Sequence, residues 1–282
     1  MTALRQRMLE DIGVRNFSAH TQRSYVHYVA AFAVHFGRSP ELLGPEDARA
    51  YLLHLVDRGC SSSTIDVARC AIRFFECVTL GREWPELLIP LAKRAHRLPV
   101  ILAHSEVGRL FEAVQYPKYR TLLMTIYATG MRSSEATHLR AADIDSERML
   151  IAVRQGKGRK DRYVMLSPVL LEALRSYWKR ERPGEWLFPG SNASMPVSVC
   201  ALRQVCKRAA VACGLSKRVT PRTLRHSFAT HLLEAGANIR IIQQVLGHRS
   251  LRTTARYTYV SNEMIGSVPI PLDRIVTGVD PK

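Results

Sequence analysis

Helical periodicity breaks between Trp84 and Ser105, and that break limits how this chain can fold more than any other feature. Pro85, Pro90 and Pro99 bracket a basic run there, Lys93-Arg94-Ala95-His96-Arg97. Proline fixes its own φ, has no N–H to donate and pushes the preceding residue toward extended backbone, so neither a helix nor an inner strand runs through. The two sides must fold separately, and 282 residues suit two domains. The expected division is an N-terminal helical domain over 1–84, a basic linker over 85–104, a second domain over 105–261 and a tail over 262–282.

The first part reads as helices. Ser18 can cap a segment in which Tyr25, Tyr28, Val29, Phe32 and Phe36 recur at helical steps before Gly37 stops it. Pro45 sits at the next helix start, ahead of Ala48, Tyr51, Leu52 and Leu55 and a stop at Gly59. Ser62 or Ser63 opens a third segment through Ile65, Ala68, Ala71, Ile72 and Phe75, closed by Gly81. With a short helix near residues 3–12 these make a compact bundle, on which Tyr25 and His27 are expected to face outward.

In the second part, Ser105-Glu106 caps a helix to about residue 114, and others span 118–128 and 133–140. Two apolar runs, 149–153 and 163–166, flank Gln155-Gly156-Lys157-Gly158-Arg159-Lys160-Asp161, which reads as a β-hairpin with a glycine-rich basic tip. Helices follow over roughly 168–182, 198–213, 221–235, 238–247 and 250–258. The expected fold class is mainly α, within α+β: a helical bundle followed by an α-rich domain with one small antiparallel sheet.

Lysines and arginines, 41 against 24 acidic residues, give a net charge of +17. That balance asks for a polyanionic partner, because each phosphate neutralised releases counterions and adds affinity without regard to sequence. The charge is dispersed rather than gathered in long like-charged blocks, as on a folded basic surface. The six cysteines include no C-x-x-C pair, which argues against a zinc site and a disulfide framework; Cys70, Cys77 and Cys206 fall within apolar helical patterns, as reduced core thiols do. With no apolar run of membrane length and no leader-like start, the expected place is the cytoplasm, at the nucleoid.

Four strings carry the chemistry. Thr129-Gly130-Met131-Arg132-Ser133-Ser134-Glu135 supplies one arginine, and Thr223-Leu224-Arg225-His226 a second. His248 of Leu246-Gly247-His248 lies 23 residues beyond Arg225, and Tyr257 of Thr253-Thr254-Ala255-Arg256-Tyr257 lies nine further on. Cutting DNA without a metal needs a nucleophile, cations on the nonbridging oxygens, an acid for the leaving oxygen and an acceptor for the nucleophile's proton. Arg132 and Arg225 suit the oxyanion, since a guanidinium offers forked donors and keeps its charge. Glu135, one helical turn past Arg132, can orient it. Lys157, between two glycines, can approach DNA closely and donate a proton. His248 can donate to phosphate, and Tyr257 can attack once nearby cations stabilise its phenolate. Each also has a plainer reading: a surface ion pair for Arg132 and Glu135, a solvated turn for Lys157, a helix cap for His248, a core side chain for Tyr257. Tyr259 rivals Tyr257.

The order and spacing of these strings resemble those of the tyrosine recombinases, or phage-type integrases, in the Xer-like and mobile-element branch, over about residues 15–260. The resemblance implies a SAM-like core-binding domain that clasps DNA, followed by a catalytic domain. It implies Arg132 and Arg225 as phosphate clamps, Lys157 as general acid, His248 as a phosphate donor and Tyr257 as the nucleophile that forms a 3′-phosphotyrosyl link. Arg159, Lys160 and the linker's Lys93, Arg94 and Arg97 would bind DNA. No cofactor or metal is called for. The implied partners are double-stranded DNA, three further protomers in a homotetramer on two synapsed sites, and in some systems a second recombinase. A C-terminal segment donated to a neighbour, here within 262–275, would hold the oligomer.

One position departs from the pattern. The family usually places histidine three residues before the second arginine, and this chain has Arg222 there. A guanidinium with a pKa above about 12 is no general base. Three readings follow: the Tyr257 proton passes to water or DNA in a slower enzyme, His226 on the same helical face substitutes, or the chain is a weakened recombinase relative that binds DNA without cutting it. General-base catalysis is worth about 10²–10⁴-fold, so activity is expected to be reduced rather than absent. A type IB topoisomerase would share much of this chemistry, but the Leu-Gly-His and Thr-Thr-x-x-Tyr strings favour the recombinase.

Overall fold

The computed structural model describes residues 2–85, 89, 98–154, 161–248, 250–255 and 257–258. The chain divides into two compact units, Met1–His96 and Arg97–Lys282.

The first unit is a helical bundle whose boundaries follow local chemistry. Helix α1 (Ala3–Val14) starts at Thr2, whose side chain accepts from the Arg5 N–H. Helix α2 (Ala19–Phe36) is capped by Ser18, which accepts from the Thr21 N–H, and ends at Gly37 with φ of 61°. Helix α3 (Pro45–Asp57) begins on its proline, and α4 (Ser62–Phe74) is capped by Ser61, one residue ahead of the expected serines. Phe75–Thr79 continues α4 as a π-helical turn. Phe32, Leu43, Tyr51, Leu55 and Ile72 fill one core, and Met8, Ile12, Val29, Phe74 and Phe75 fill a second. Tyr25 faces this second core rather than solvent, its ring 5.6 Å from that of Phe74, because the apolar face of α2 is wider than its spacing suggests. His27 is exposed as expected. Cys70 and Cys77 are half-buried, and Cys206 alone of the three expected core thiols is fully buried.

The second unit is α-rich around one small sheet. Helix α5 (His104–Glu112) starts one residue before the expected serine, with the Glu106 carboxylate accepting the Ala103 N–H. Within the stretch read as linker, Leu102 is fully buried in this unit's core, and its N–H donates to Ser227 Oγ at 2.9 Å. Helix α6 (Pro117–Thr129) ends at Gly130, and the short α7 (Ser133–Thr137) follows directly. Strands β1 (Ile144–Asp145), β2 (Leu150–Val153) and β3 (Arg162–Met165) form an antiparallel sheet in that order, with Ile151 opposite both Ile144 and Val164. The expected hairpin is β2–β3; β1 escapes a periodicity search because two residues are too few to alternate.

Helices α8 (Pro168–Glu181), α9 (Val199–Ala212), α10 (Pro221–Glu234), α11 (Ile239–Leu246) and α12 (Leu251–Ala255) complete the unit. The central one is α10: Thr223, Leu224, Arg225, Ser227, Phe228, Ala229 and Thr230 are all buried. A helix covered on most sides favours polar groups that are bonded. Ser227 accordingly donates to Thr223 O, and Arg225 reaches two backbone carbonyls described below. On α10 Thr230 Oγ1 is the exception, buried without a hydrogen-bond partner among the described residues.

Gly130 shows how tightly α6, α10 and α11 meet. Its φ is +64°, and a Cβ there would sit 2.5 Å from the Phe228 ring and 2.8 Å from Leu246 Cδ2. Gly130→Ala combines left-handed strain with overpacking and is expected to cost about 2–4 kcal/mol, read as a lowered midpoint in urea or heat unfolding. An unchanged midpoint would show that Phe228 and Leu246 yield without cost.

Candidate active site

Two helix C-termini converge here, and the last carbonyls of each lack intrahelical donors. Helix α6 stops at Gly130 and α11 stops at Gly247, both with left-handed backbone, φ of 64° and 63°. Arginines satisfy the orphaned carbonyls. Arg162 Nε donates to Val245 O at 3.0 Å, Arg225 Nη2 to Leu246 O at 2.7 Å and Arg132 Nη2 to Gly247 O at 3.0 Å. Arg225 Nη1 also donates to Gly130 O at 2.7 Å, tying the end of α6 to that of α11. Cations at these ends are favoured by the helix dipoles as well as by the hydrogen bonds.

Glu135 gathers the same arginines from beneath. Arg162 grips it with both ends of its guanidinium, Nη1 to Oε1 at 3.0 Å and Nη2 to Oε2 at 2.7 Å. Arg132 adds Nη1 to Oε1 at 2.7 Å and its own backbone N–H to Oε2 at 2.8 Å. The Arg225 guanidinium lies 4.0 Å away. Burial by itself would raise the Glu135 pKa, but the hydrogen bonds and charge of Arg162, then those of Arg132, outweigh it and bring the carboxyl from 4.5 to about 2. Burial and the neighbouring Arg132 pull the Arg225 pKa down, against Glu135 and Tyr257, to about 10, so it stays cationic at neutral pH. Arg132 keeps 25% of its side chain exposed and Arg225 only 8%, so Arg132 is the more accessible of the two candidate clamps.

Beyond the clamps stand His248 and Tyr257. Arg225 Nη2 lies 3.1 Å from His248 Nε2; since a guanidinium only donates, Nε2 accepts, and Nδ1 carries the ring proton toward Thr254 Oγ1 at 2.9 Å. Thr254, on α12, is fully buried. Tyr257 lies in the turn after α12, not within it, and its N–H donates to Thr254 O at 3.0 Å. Its ring is buried with Phe228, Ala229, Ile242 and Leu246, and lies nearly parallel to that of His248 at 6.4 Å. Its hydroxyl sits 2.9 Å from His226 Nδ1.

Arg132, Glu135, Arg225, His248 and Tyr257, expected from order and spacing, thus meet in one site. Arg222 is exposed at the start of α10, and its Nε donates to His226 Nε2 at 3.2 Å. Lys157, Arg159, Lys160, Lys93, Arg94 and Arg97 lie outside the described residues, as does Tyr259. Arg162 is a site residue that spacing missed. Its signal was parity: it shares the core-facing side of β3 with buried Val164, and an arginine there needs a carboxylate.

Comparison with known proteins identifies the family and the fold. Residues 101–264 match the phage integrase family model, and residues 4–86 match the phage integrase N-terminal SAM-like domain. A Sinorhizobium fredii protein, y4qK, assigned as an integrase/recombinase, is 50% identical over 97% of this chain and 89% of its own length. The tyrosine recombinase XerA of Thermococcus kodakarensis is 36% identical over 87% of this chain and 86% of its own. Among solved structures, a XerA recombinase covers 99% of this chain and 98% of its own at 29% identity, with a TM-score of 0.55. The XerH site-specific recombinase bound to a palindromic difH substrate shares the fold, with a TM-score of 0.72 at 23% identity over 90% of this chain and 81% of its own.

The depressed Glu135 pKa fixes a pH dependence. Its carboxylate contributes stability in full above about pH 4.5 and loses it as the pH falls through about 2, roughly 3 kcal/mol in all. Glu135→Gln should lower stability at neutral pH by about 3–5 kcal/mol, because the arginines are left around a neutral group. It should also flatten the acid limb of stability against pH. Parallel acid limbs in the two proteins would show that this carboxylate does not carry the linkage.

Proposed function

The chain belongs to the phage integrase family, and from that premise we propose how its site divides the work of cutting and rejoining DNA. It is a tyrosine-type DNA strand transferase, a site-specific recombinase whose partner is DNA. The Tyr257 oxygen attacks the scissile phosphorus and the bond to the 5′ oxygen breaks, leaving a 3′-phosphotyrosyl link and a 5′ hydroxyl. Attack by a 5′ hydroxyl from the partner strand reverses the step, so the bond energy is kept and no nucleotide is consumed. Arg132 and Arg225 hold the nonbridging oxygens, where charge builds up in the transition state. When Arg225 turns its Nη2 N–H from His248 Nε2 to the phosphate, His248 carries its proton on Nε2 instead of Nδ1, Thr254 donates to Nδ1, and Nε2–H donates to the same phosphate. Lys157 protonates the leaving oxygen. Glu135 and Arg162 position the clamps.

The observation that carries this reading is the adjacency of the tyrosine hydroxyl to an arginine–histidine cluster. His248 bonds Arg225 at 3.1 Å and stacks beside the Tyr257 ring. The clamp arginines are held by helix-terminal carbonyls, and a phosphate would draw on their remaining N–H donors. The basic tip at Lys157, Arg159 and Lys160 and the linker's Lys93, Arg94 and Arg97 would add backbone contacts. DNA as substrate puts the enzyme at the nucleoid.

Nicked suicide duplexes drawn from DNA flanking the gene test the chemistry by denaturing gel. Wild type is expected to give a 3′-linked adduct, Tyr257→Phe none, and Arg222→His a faster one. Binding by wild type with an adduct only from Arg222→His would make the chain a DNA-binding relative disabled at one position.

The working assembly is a homotetramer on two synapsed sites, with a second recombinase needed only if this chain cannot complete both strand exchanges. Residues 262–275 carry Ile265, Val268, Ile270 and Leu272, enough apolar surface to dock on an adjacent protomer. A pocket of about 450 Å³ lined by Phe111, Met124, Tyr127, Leu170, Phe228 and Leu232 supports that reading. Truncation at Asn262 should leave single-site binding within a few-fold and abolish synapsis in a gel-shift assay. Synapsis by the truncated chain would sink the docking.

A further inference from the structure

The second histidine of the Tyr257 environment has no part in the mechanism above. His226 follows Arg225 on α10, half-buried, with its two ring nitrogens turned to different partners. Arg222 Nε lies 3.2 Å from Nε2, and the Tyr257 hydroxyl lies 2.9 Å from Nδ1. Arg222 sits at the position where the usual histidine is missing, and it cannot accept a proton. His226 can, and of the histidines described near Tyr257 it is the one bonded to the hydroxyl itself.

We propose that His226 is the general base for Tyr257 and that Arg222 holds it inactive until DNA arrives. A guanidinium Nε–H can only donate, so Nε2 bears a lone pair in this arrangement and Nδ1 carries the ring proton. Nδ1–H then donates into the phenol oxygen and cannot take a proton from it. The positive charge of Arg222 against the ring also opposes formation of an imidazolium. Arg222, exposed in the first turn of α10, is free to swing toward a phosphate, which is a stronger acceptor than an imidazole. With Arg222 gone, the ring exchanges its tautomer through solvent: Nδ1 gives up its proton and Nε2 takes one.

Nδ1 now presents its lone pair to the Tyr257 hydroxyl. As the phenol oxygen bonds to phosphorus, its proton passes to Nδ1 and His226 becomes an imidazolium. The bond from phosphorus to the 5′ oxygen breaks, and that oxygen takes its proton from Lys157. On rejoining, the incoming 5′ hydroxyl gives its proton to the Lys157 amine as it attacks. The bond from phosphorus to the tyrosine oxygen breaks, and Nδ1 returns the proton to that oxygen. His248 is not a competing base here, because its Nε2 faces Arg225 and its Nδ1 faces Thr254.

This inference rests on the reading of the chain as a working recombinase, and a mutant cycle on the full-length protein separates the two. Adduct formation on the nicked duplexes is compared in wild type, His226→Gln, Arg222→His and the double variant. His226→Gln is expected to lose about 10²-fold in cleavage rate, with DNA binding unchanged. In the Arg222→His background, where a histidine again stands in the usual place, the same substitution should cost less than about threefold. A purely structural role for His226 would cost the same in both backgrounds and would overturn the proposal. So would His226→Gln cleaving like wild type. Absence of any adduct from wild type would instead overturn the recombinase reading itself. A 5′-bridging phosphorothiolate adds a second readout, since its leaving thiolate needs no acid: the His226→Gln defect should persist on it, whereas a Lys157→Ala defect should disappear. Should His226→Gln fail to fold, ¹⁵N-histidine NMR of the wild-type chain decides. Nδ1-protonated His226 without DNA, moving to the other tautomer on adding duplex, is the expected result; an Nε2-protonated ring in the free protein overturns the lock.

Discussion

A buried carboxylate surrounded by cations organises the catalytic unit. Glu135 holds Arg162 in a two-pronged pair and Arg132 in a second pair, and Arg225 stands at the edge of the same charge cluster. A lone carboxylate this deep would be protonated; the guanidiniums hold it ionised, and it holds them in place. The other face of each arginine is fixed by a carbonyl at the end of α6 or α11. Ion cluster and helix ends therefore support one another. Arg132 and Arg225 are thereby fixed by the protein's own groups, and in their proposed role as phosphate clamps that limits the reorganisation left for the transition state.

The glycines that end those helices set how closely the parts approach. Gly130 and Gly247 take left-handed backbone, so their helices stop and present carbonyls to the arginines. A Cβ at Gly130 would overlap the Phe228 ring, and one at Gly247 would come within 3.2 Å of Arg162. The conformation that terminates each helix is the one that leaves room for the side chains of the site. Tyr257 then packs on Phe228 and Leu246, so the proposed nucleophile rests on the same residues that press against Gly130.

Much of the architecture was legible in the chain. Ser18 caps its helix through a side-chain hydrogen bond as expected, and the glycine stops and the paired runs around the hairpin follow from local preference. Errors came where tertiary packing overrides a local rule. Tyr25 turned inward because Phe17 and Phe74 offer it a partner. Leu102 left the linker for the core because Ser227, far along the chain, receives its N–H. The two-residue strand β1 exists only through its pairing with β2.

For the site, the resemblance of four short strings to those of the tyrosine recombinases named Arg132, Glu135, Arg225, His248 and Tyr257, which side-chain chemistry alone left open to plainer readings. Substitution of the usual histidine by Arg222 was equally plain. The sequence alone determined the two-part organisation, most of the helices to within a few residues, and the basic charge, because those depend on local backbone preference and on side-chain chemistry. Only the tertiary structure decided which atoms meet: that Arg162 shares Glu135, that the arginines rest on helix ends, and that His226 rather than His248 touches the Tyr257 hydroxyl. Such contacts join residues tens of positions apart and depend on how helices pack, and neither spacing nor composition encodes an orientation of that kind.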